Sequence, residues 1–468
     1  MREFSDLKRR RLYRIALNFF NKKPDRGLQL LITWGFVDKD PQSIAKLFLG
    51  RRGLSKQMIG EFLGTLHSSF HASVLDYFVN EIDMYQMDVD VALRHMLTFF
   101  RLPGEAQKID HIMQVFSRRY KACNPDRLNP TVSVDTIYML AFAIIMLNTD
   151  LHTPSLKNSK RMKVDDFIKN IRGIEDGKML DKNMLTQIYE RIKEREFRPG
   201  NDHVTQVMKV DQSIIGNEKP KLVEPHRRLI CYCRLHQIID VNKRQNANAH
   251  QREIFLFNDM MLVAKLFAKK KSIAQYNLRY WTALIGLKIE PFQNQLYSYG
   301  LSIECPNGEH LLFNAKNNDD RYRFMADVRE SVAESTEMES IRIELELDKQ
   351  TPITLGPGSV HRFSRVDNQR DSGLPDIDHQ NSTELPELSN GHTITSNTMA
   401  SNLYARGGGT TSAQKPVTSP TSGFKTTNSM GLMNGAAHSI TYHAATRRLS
   451  FNSMDSGMVE ENGADLSV

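Results

Sequence analysis

Glu105 lies in the stretch FFRLPGEAQKID (residues 99–110), where a Pro-Gly turn and one carboxylate separate two apolar helical runs. Pro103 suits the first turn of a helix, because its missing N–H would be unpaired there in any case. Glu105 would then lie beside the positive end of a helix dipole, which stabilises a helix by roughly 0.3–1 kcal/mol. On spacing alone, this capping role is favoured over a functional use of the acid.

A second polar group ends the apolar segment SVDTIYMLAFAIIMLNTDLHTP (residues 133–154), whose last turn carries Asn148, Thr149, Asp150 and His152. Asp and His are residue types that bind metal ions. Alternate residues at a helix end point in different directions, however, and no second His/Asp pair completes a ligand set. We therefore expect a buried helix with a polar C-terminal end and no metal site.

Three cations are predicted to form a row across adjacent β-strands. The strands REIFLF and MMLVAKLF flank Asn258-Asp259, which suits a two-residue hairpin turn, so that Arg252 would face Lys265. A further hairpin through AKKKSI would place Arg279 opposite Lys265. Like charges that face each other destabilise a sheet unless an anion lies between them.

Two interpretations of this basic face remain open. It is either a solvated sheet edge or a site for anionic lipid headgroups, to which each basic residue contributes about 1 kcal/mol. The residues that would bind lipid are Arg252, Lys265, Lys269, Lys270, Lys271 and Arg279, helped by Arg227 and Arg228.

The composition narrows the class of protein. A net charge of +8 and a pI of about 9.1 over 468 residues favour an acidic partner: nucleic acid, an anionic membrane or a nucleotide-bearing protein. The four scattered cysteines show no CxxC spacing, which fits a reducing compartment and argues against a disulfide framework or a zinc site. The basic strands lack an aromatic RNA-binding pattern, and we find no GxxxxGK, dinucleotide glycine or HExxH motif. We expect no nucleic-acid partner and no cofactor.

The chain divides into segments of different composition. Residues 5–198 show helical periodicity throughout, in about ten segments separated by turn signals such as KKPDRG and CNPDRLNP. A linker at 199–220 precedes residues 221–345, which predict several strands and the closing helix DDRYRFMADVRESVAE, typical of a small barrel or bent sandwich. Residues 346–468 are rich in Ser, Thr, Gly, Asn and Pro and are expected to be disordered.

The sequence does not predict a segment that spans a membrane. The basic N-terminus continues as an amphipathic helix without a cleavage site, and the apolar run at 137–147 is too short to cross a bilayer. We expect a cytoplasmic protein that is recruited to the surface of plasma or endosomal membranes.

Two stretches, MDVDVALRHMLTFFRLPGEAQKIDHIMQVFSRRYKACNP and AFAIIMLNTDLHTP, resemble the signature regions of the Sec-seven domain. This is the catalytic domain of guanine-nucleotide exchange factors for Arf-type small GTPases. HRRLICYCRL, HQREIFLFND and the KKK turn resemble the pleckstrin-homology (PH) domain of one subfamily, the brefeldin-resistant exchange factors with an IQ motif and a Sec-seven domain. We find no IQ-type segment, and Phe324 takes the place of the usual Trp in the closing helix.

The resemblance implies a catalyst that promotes GDP release from an Arf-family GTPase and breaks no covalent bond. Glu105 would enter the nucleotide site, repel the β-phosphate and compete for Mg²⁺. Two unit charges 4 Å apart interact by about 4 kcal/mol at an effective dielectric near 20, equivalent to about a thousandfold in rate. The alternative is a non-catalytic adaptor that binds lipid and a GTPase.

The resemblance also implies a groove for the GTPase switch regions. Its residues would be Leu102, Pro103, Gly104, Phe142, Ala143, Met146, Asn148 and Asp150. The pair Phe142-Ala143 is typical of brefeldin-resistant members, whereas Asp150 is the residue type of sensitive members. At the other end of the chain, Leu466 and Val468 could dock in a PDZ groove, the alternative being an ordinary disordered end.

Overall fold

The computed structural model describes residues 5–125, 132–156, 160–173, 180–246, 250–270 and 273–350. Residues 346–350 of the predicted disordered tail are helical, so that part of the expectation was wrong; residues 351–468, with the PDZ-type C-terminus, lie outside the described part of the chain. The described residues before 198 form ten helices. These are α1 (Asp6–Lys22), α2 (Pro24–Thr33), α3 (Pro41–Gly50), α4 (Lys56–Leu63), α5 (Ser69–Asn80), α6 (Val89–Met96), α7 (Ala106–Cys123), α8 (Val134–His152), α9 (Val164–Arg172) and α10 (Lys182–Glu194).

Local sequence signals set several helix starts. Pro24 and Pro41 begin α2 and α3, where the absent N–H costs nothing. The side chain of Asp40 accepts from the Ser43 N–H at the start of α3, and that of Ser133 accepts from the Thr136 N–H at the start of α8. The helical half of the predicted fold is confirmed.

Helix α8 is the apolar centre of this domain and contacts α6, α7, α9 and α10. The helix has 19 residues and a mean hydropathy of 1.4, so by length and composition it could cross a membrane. The sequence analysis considered only the run at 137–147, which is too short to do so. Ile137, Leu140, Ala141 and Ile144 are instead buried in the core of the helical domain. The apolar character of α8 is thus explained by packing against neighbouring helices.

The second half of the described chain is a single eight-stranded sheet with strand order β1-β5-β4-β3-β2-β8-β7-β6. All neighbours are antiparallel except β1 and β5, which are parallel. The strands are β1 (Ile214–Ile215), β2 (Leu229–Ile238), β3 (Gln251–Phe257), β4 (Met260–Lys270), β5 (Ile273–Ala283), β6 (Lys288–Phe292), β7 (Gly300–Glu304) and β8 (His310–Asn314). The predicted barrel or sandwich is confirmed, although the sequence did not indicate β1 or β6.

The two faces of the sheet pack against different partners. Alternate residues such as Ile254 and Leu256 form the inner core with Phe324, whereas Phe255 and Phe257 contribute to a second cluster with Val207. Val207 belongs to α11 (His203–Ser213), a helix in the segment expected to be a linker. Alternation along a strand places successive side chains on opposite faces, so one strand supplies both clusters.

The closing helix α12 (Asn318–Gln350) is 33 residues long and extends well past the predicted DDRYRFMADVRESVAE. Its first half closes the inner core of the sheet with Phe324, which is 0% exposed. Its second half packs Met338, Ile341 and Leu345 against the core of the helical domain. One helix therefore belongs to both cores.

Candidate functional site

Glu105 is the N-cap residue of α7, with an extended backbone (φ −90°, ψ 127°). The helix begins at Ala106, so the expectation that Pro103 lies in its first turn was wrong. The residues before Glu105 are not helical and run along α4, where the Arg101 N–H donates to the Lys56 carbonyl at 2.9 Å. Pro103 is buried in this approach, and Gly104 and Glu105 are exposed.

Two glycines of α4 let the corner pack directly on that helix. A Cβ at Gly60 would lie 1.8 Å from the carbonyl oxygen of Arg101, far closer than atoms can approach. A Cβ at Gly64 would lie 3.1 Å from Pro103 Cγ and 3.0 Å from Lys108 Cβ. The backbone before Glu105 is therefore held against α4 with no room for a side chain between them.

A further set of contacts braces the same corner from the end of the helical domain. The Gly200 N–H donates to the Thr98 carbonyl at 2.9 Å, and Lys56 Nζ donates to that carbonyl as well. Thr98 lies just before the corner and Gly200 just after the last helix of the domain. The loop that carries Glu105 is thus fixed on two sides.

The Glu105 carboxylate itself faces outward. Its side chain is 69% exposed and makes no capping hydrogen bond to its own helix. Glu105 Oε1 lies 2.8 Å from Lys108 Nζ, one turn along α7, and Lys108 also contacts Glu61 Oε2 at 3.0 Å. A capping role through a backbone N–H is not observed, so the acid is free to serve another purpose at the helix terminus.

An apolar stripe on α8 accompanies this corner. Phe142 and Ala143 are half-buried and Met146 is 38% exposed, while Leu102 packs against the same core from the Glu105 loop. These are residues predicted to form the wall of a groove, and that role stays a prediction. The stripe continues to Tyr138, whose ring centroid lies 6.3 Å from that of Phe142.

Helix α7 contributes residues that the sequence analysis missed. Ile109 is half-buried against the same core, and Asp110 accepts a hydrogen bond from the Tyr138 hydroxyl, which joins α7 to α8. Burial, together with this hydrogen bond and the charge of Asp110, raises the pKa of Tyr138 well above its ordinary value. The four-residue step from Met146 through Phe142 could have identified Tyr138 in the sequence.

The polar residues at the C-terminal end of α8 make hydrogen bonds within the helical domain. Asn148 Oδ1 accepts from the Phe197 N–H at 2.8 Å, and Asp150 Oδ2 accepts from the Met162 N–H at 2.6 Å. His152 Nε2 lies 2.7 Å from the Ile192 carbonyl oxygen, on α10. Among the residues that the structure describes, no group of three or more His, Cys, Asp and Glu side chains could hold a metal ion. Asn148 and Asp150 fix the segments beside the groove.

The basic face of the sheet differs from the predicted row of three cations. The β3–β4 pairing of Glu253 with Ala264 agrees with the two-residue turn and places Arg252 next to Lys265. Lys265, however, pairs with Asn277, so the expectation that Arg279 lies opposite Lys265 was wrong. Two β-bulges shift the β4–β5 register, because each inserts one unpaired residue into one strand.

Arg279 is the extra residue in one of these bulges, between the pairs Val263–Tyr280 and Ala264–Leu278. Burial, with the charge of Arg279 second, lowers the pKa of Arg252 from its ordinary value. Arg252 Nε also donates to Gln237 Oε1 at 2.9 Å. Two of the three cations thus influence one another electrostatically, in a different arrangement from the one expected.

Phe267 is the extra residue in the other bulge and is 66% exposed. Phe267 precedes Lys269 and Lys270, which end β4. The side chains of these two lysines and the whole of Lys271 lie outside the described residues. In the chain, an exposed aromatic ring thus comes just before a run of three lysines. The sequence analysis overlooked it because Phe267 continues the strand pattern of MMLVAKLF.

Arg227 and Arg228 do not belong to the basic face. Arg227 Nη2 lies 2.7 Å from Asp259 Oδ2, and Arg228 Nη2 lies 2.6 Å from Glu334 Oε1 on α12. Burial acts to raise the pKa of Asp259, but hydrogen bonds from His226 and Arg227 hold it well below its usual range. Both arginines are internal ion-pair partners, so the expectation that they help to bind lipid was wrong.

Comparison with known proteins agrees with this architecture. The model of the Sec7 (Sec-seven) domain matches residues 9–197, and a PH-domain model of the IQ-SEC7-PH type matches residues 218–350. "Brefeldin A-inhibited guanine nucleotide-exchange protein 2" of Arabidopsis thaliana is 42% identical over 200 residues, which are 42% of this chain and 11% of that protein. "ADP-ribosylation factor guanine nucleotide-exchange factor sec72" of Schizosaccharomyces pombe is 42% identical over 199 residues, 42% of this chain and 11% of that protein.

Solved structures match the same region. "Crystal structure of Sec7p catalytic domain" is 34% identical and covers 42% of this chain and 99% of that chain, with a TM-score of 0.36. "Structure of ARF1-GDP bound to Sec7 domain complexed with Brefeldin A" is 35% identical and covers 41% of this chain and 95% of that chain, with a TM-score of 0.37. This chain spans about a tenth of the length of the two curated relatives named above.

An all-helical domain with a braced acidic corner, followed by a sheet closed by a C-terminal helix, defines a two-domain protein. Its helical part is a Sec-seven domain and its sheet-rich part a PH domain. The chain thus carries a Sec-seven domain at residues 9–197 and, after it, a PH domain of the IQ-SEC7-PH type at residues 218–350.

Proposed function

We propose that this protein is a guanine-nucleotide exchange factor that promotes GDP release from an Arf-family small GTPase at an anionic membrane surface. The names of relatives that match its Sec-seven domain at 42% identity support the reaction class. The observation that carries the proposal is Glu105, an exposed carboxylate on a corner held by α4 and by Gly200.

The proposed mechanism requires only that a negative charge is placed in the nucleotide site of the GTPase. A bound GDP is held through its phosphates and a Mg²⁺ ion, which prefers oxygen ligands. A carboxylate that enters this site repels the β-phosphate and competes for the ion, at a cost to nucleotide binding of about 4 kcal/mol for unit charges 4 Å apart. Preorganisation matters because a loose carboxylate would lose this energy in ordering itself. The packing of Pro103 against Gly64 provides that rigidity.

The apolar stripe would hold the GTPase while Glu105 acts. Phe142, Ala143 and Met146 on α8, with Leu102 beside the corner, offer partly exposed apolar surface. Such surface is suited to the apolar residues of a switch region that becomes exposed when a GTPase changes conformation. Asn148 and Asp150 then act indirectly, by fixing the chain on either side of α8.

The PH domain would supply membrane recruitment through phosphoinositides or other anionic lipids. Arg252 and Arg279 lie close enough to affect one another, which favours an anion between them. Lys265 is exposed beside them, and Phe267 would add an apolar contact with the headgroup region. Lys269, Lys270 and Lys271 follow soon after in the chain and would add positive charge. The reaction would take place at plasma or endosomal membranes.

Release of a fluorescent GDP analogue from Arf proteins tests the proposal. Glu105→Lys replaces a repelling charge with one that attracts the β-phosphate, so exchange should be lost while the complex with the GDP-bound GTPase becomes more stable. Glu105→Asp should give an intermediate rate, because its shorter side chain reaches less far. Glu190→Lys is the matched control, since Glu190 is also an exposed acid paired with a lysine three residues away.

Thermal melts of each variant separate lost chemistry from lost folding. If Glu105 only stabilises its helix, Glu105→Lys would cost roughly 0.3–1 kcal/mol and leave exchange nearly normal. A folded Glu105→Lys protein with wild-type exchange would refute the proposal. A wild-type protein that binds a GDP-loaded GTPase without accelerating release would indicate the alternative, a non-catalytic adaptor.

A further inference from the structure

Lys108 is shared by two carboxylates from different parts of the Sec-seven domain. Its Nζ lies 2.8 Å from Glu105 Oε1 and 3.0 Å from Glu61 Oε2, on α4. The exposed fraction of the side chain is 69% for Glu105, 35% for Glu61 and only 19% for Lys108. Most of the Lys108 side chain is therefore covered, whereas Glu105 is at the outer surface of the corner.

The position of Lys108 is set by backbone packing. Gly64 ends the helix that carries Glu61, and a Cβ there would lie 3.0 Å from Lys108 Cβ. The first turn of α7 can therefore approach α4 closely enough for Lys108 to reach Glu61. The same approach holds Pro103, so the corner and the ion pair are built on one surface.

Either carboxylate alone would neutralise the ammonium group. The hydrogen bond that Lys108 donates to Glu105 is the largest influence that raises the pKa of Lys108; burial opposes it, and Glu61 adds to the rise. If Glu105 leaves, Lys108 still has Glu61 as a counter-charge. If Glu61 were absent, departure of Glu105 would leave a mostly buried cation without a carboxylate, which is unfavourable.

We propose that Lys108 is a positioning residue, which holds the Glu105 carboxylate in the unbound protein and transfers its pairing to Glu61 when Glu105 enters the nucleotide site. This inference rests on the proposed exchange function. Holding the side chain removes part of its rotamer entropy before the GTPase arrives. The second carboxylate makes the hold reversible, because the ammonium keeps a partner throughout.

The proposal predicts how kcat and KM of the exchange reaction change in variants of the whole chain. Glu61→Gln should lower kcat by about threefold, the size expected for an exposed ion pair, with little change in KM because transfer follows docking. In a Lys108→Gln background, Glu61→Gln should have no further effect on kcat. Lys108→Arg should restore the sensitivity to Glu61. The Glu61→Gln defect should shrink at high salt, since salt screens exposed charges.

Glu190→Gln is the matched control, because Glu190 pairs with Lys193 at 3.2 Å on α10, with the same three-residue spacing as Glu105 and Lys108. It should leave kcat unchanged. Equal effects of Glu61→Gln with and without Lys108 would overturn the transfer of pairing. A loss of activity that correlates with the melting temperatures of the variants, and does not depend on the salt concentration, would also overturn it.

A measurement without any GTPase separates this inference from the exchange function. The pKa of the Lys108 ammonium, followed by NMR of its side chain, should fall in Glu105→Gln and also in Glu61→Gln. A Lys108 pKa unaffected by either change would overturn the shared ion pair whatever the exchange rate. Shared pairing in a wild-type protein that releases no GDP would refute the exchange function instead.

Discussion

Arg14 Nε donates to Glu334 Oε2 at 2.7 Å, and the two residues are 6% and 1% exposed. Arg14 belongs to α1, the first helix of the Sec-seven domain, and Glu334 to α12, the last helix of the PH domain. Arg228 and Asn18 complete the cluster, each with a hydrogen bond to Glu334 Oε1. The beginning and the end of the described chain therefore meet through one buried carboxylate.

Glu334→Gln should destabilise the contact between the two domains. It would leave Arg228 mostly buried without its counter-charge, while Arg14 keeps Glu330 at 2.6 Å, and loss of one partner of a buried ion pair typically costs about 3–5 kcal/mol. Hydrogen exchange of α1 and α12, or unfolding in urea, would measure the loss. Glu339→Gln is the control on the same helix, because Glu339 is 38% exposed in its pair with Arg342 and should change stability by less than about 0.5 kcal/mol. Equal effects of both changes would contradict a buried cluster.

The same carboxylate predicts a dependence of stability on acid. Burial acts to raise the pKa of Glu334, but Arg228 and Arg14 hold it below the ordinary value of 4.5. A carboxylate with a lowered pKa stabilises the folded state fully above its unfolded pKa and loses this contribution as pH falls through the folded value. Melting temperatures of the wild type should therefore fall more steeply below about pH 4.5 than those of Glu334→Gln. Parallel curves for the two proteins would argue against this linkage.

Met146→Glu tests the apolar stripe on α8. The side chain is 38% exposed, so the change should leave thermal stability within about 0.5 kcal/mol. It should nevertheless reduce kcat/KM for exchange by more than about tenfold, because a charge would be buried at the contact with the GTPase. Met208→Glu offers a control at another exposed methionine, which lies on α11 and is 46% exposed. An unaffected rate in Met146→Glu would remove α8 from the proposed binding surface.

Acidic vesicles should raise exchange on a membrane-bound GTPase by more than about tenfold, since both partners are concentrated on one surface. Lys265→Glu with Arg279→Glu should abolish this gain and leave the reaction in solution unchanged. Lys288→Glu with Arg323→Glu makes the same charge change at residues 68% and 64% exposed elsewhere on the PH domain. A full response to vesicles by the first pair of changes would place the lipid site elsewhere.

Local pattern predicted the elements of the helical domain well. The three- and four-residue periodicity of α7 and α8 and the turn residues between helices indicated where they lie. It also brought Glu105 to notice, because a Pro-Gly corner between two such helices is a local feature. The start of α7 was placed too early, since the non-helical path of the chain at Pro103 accompanies the close approach of Arg101 to Gly60, about forty residues earlier in the chain.

Register was harder to predict than strand identity. The turn at Asn258-Asp259 was correct, and so was the alignment of Arg252 with Lys265 that follows from it. The position of Arg279 was not: the ladder starts at the pair Lys270–Ile273, one residue from the register expected, and the bulge at Phe267 shifts Lys265 by one residue more, onto Asn277. Phe267 and Arg279 look like ordinary strand residues in the sequence, and a bulge has no strong local signal.

The sequence by itself determined the two-domain architecture, the acidic corner and the apolar stripe on α8, because these depend on periodicity and turn chemistry over a few neighbouring residues. Only the tertiary structure decided which charges are available. Arg227 and Arg228 look like surface cations in the sequence, yet Asp259 and Glu334 pair with them from 32 and 106 residues away. Lys108 likewise acquires Glu61 from 47 residues away. The energy of a charge depends on burial and on its partners, and both are set by parts of the chain that are distant in sequence.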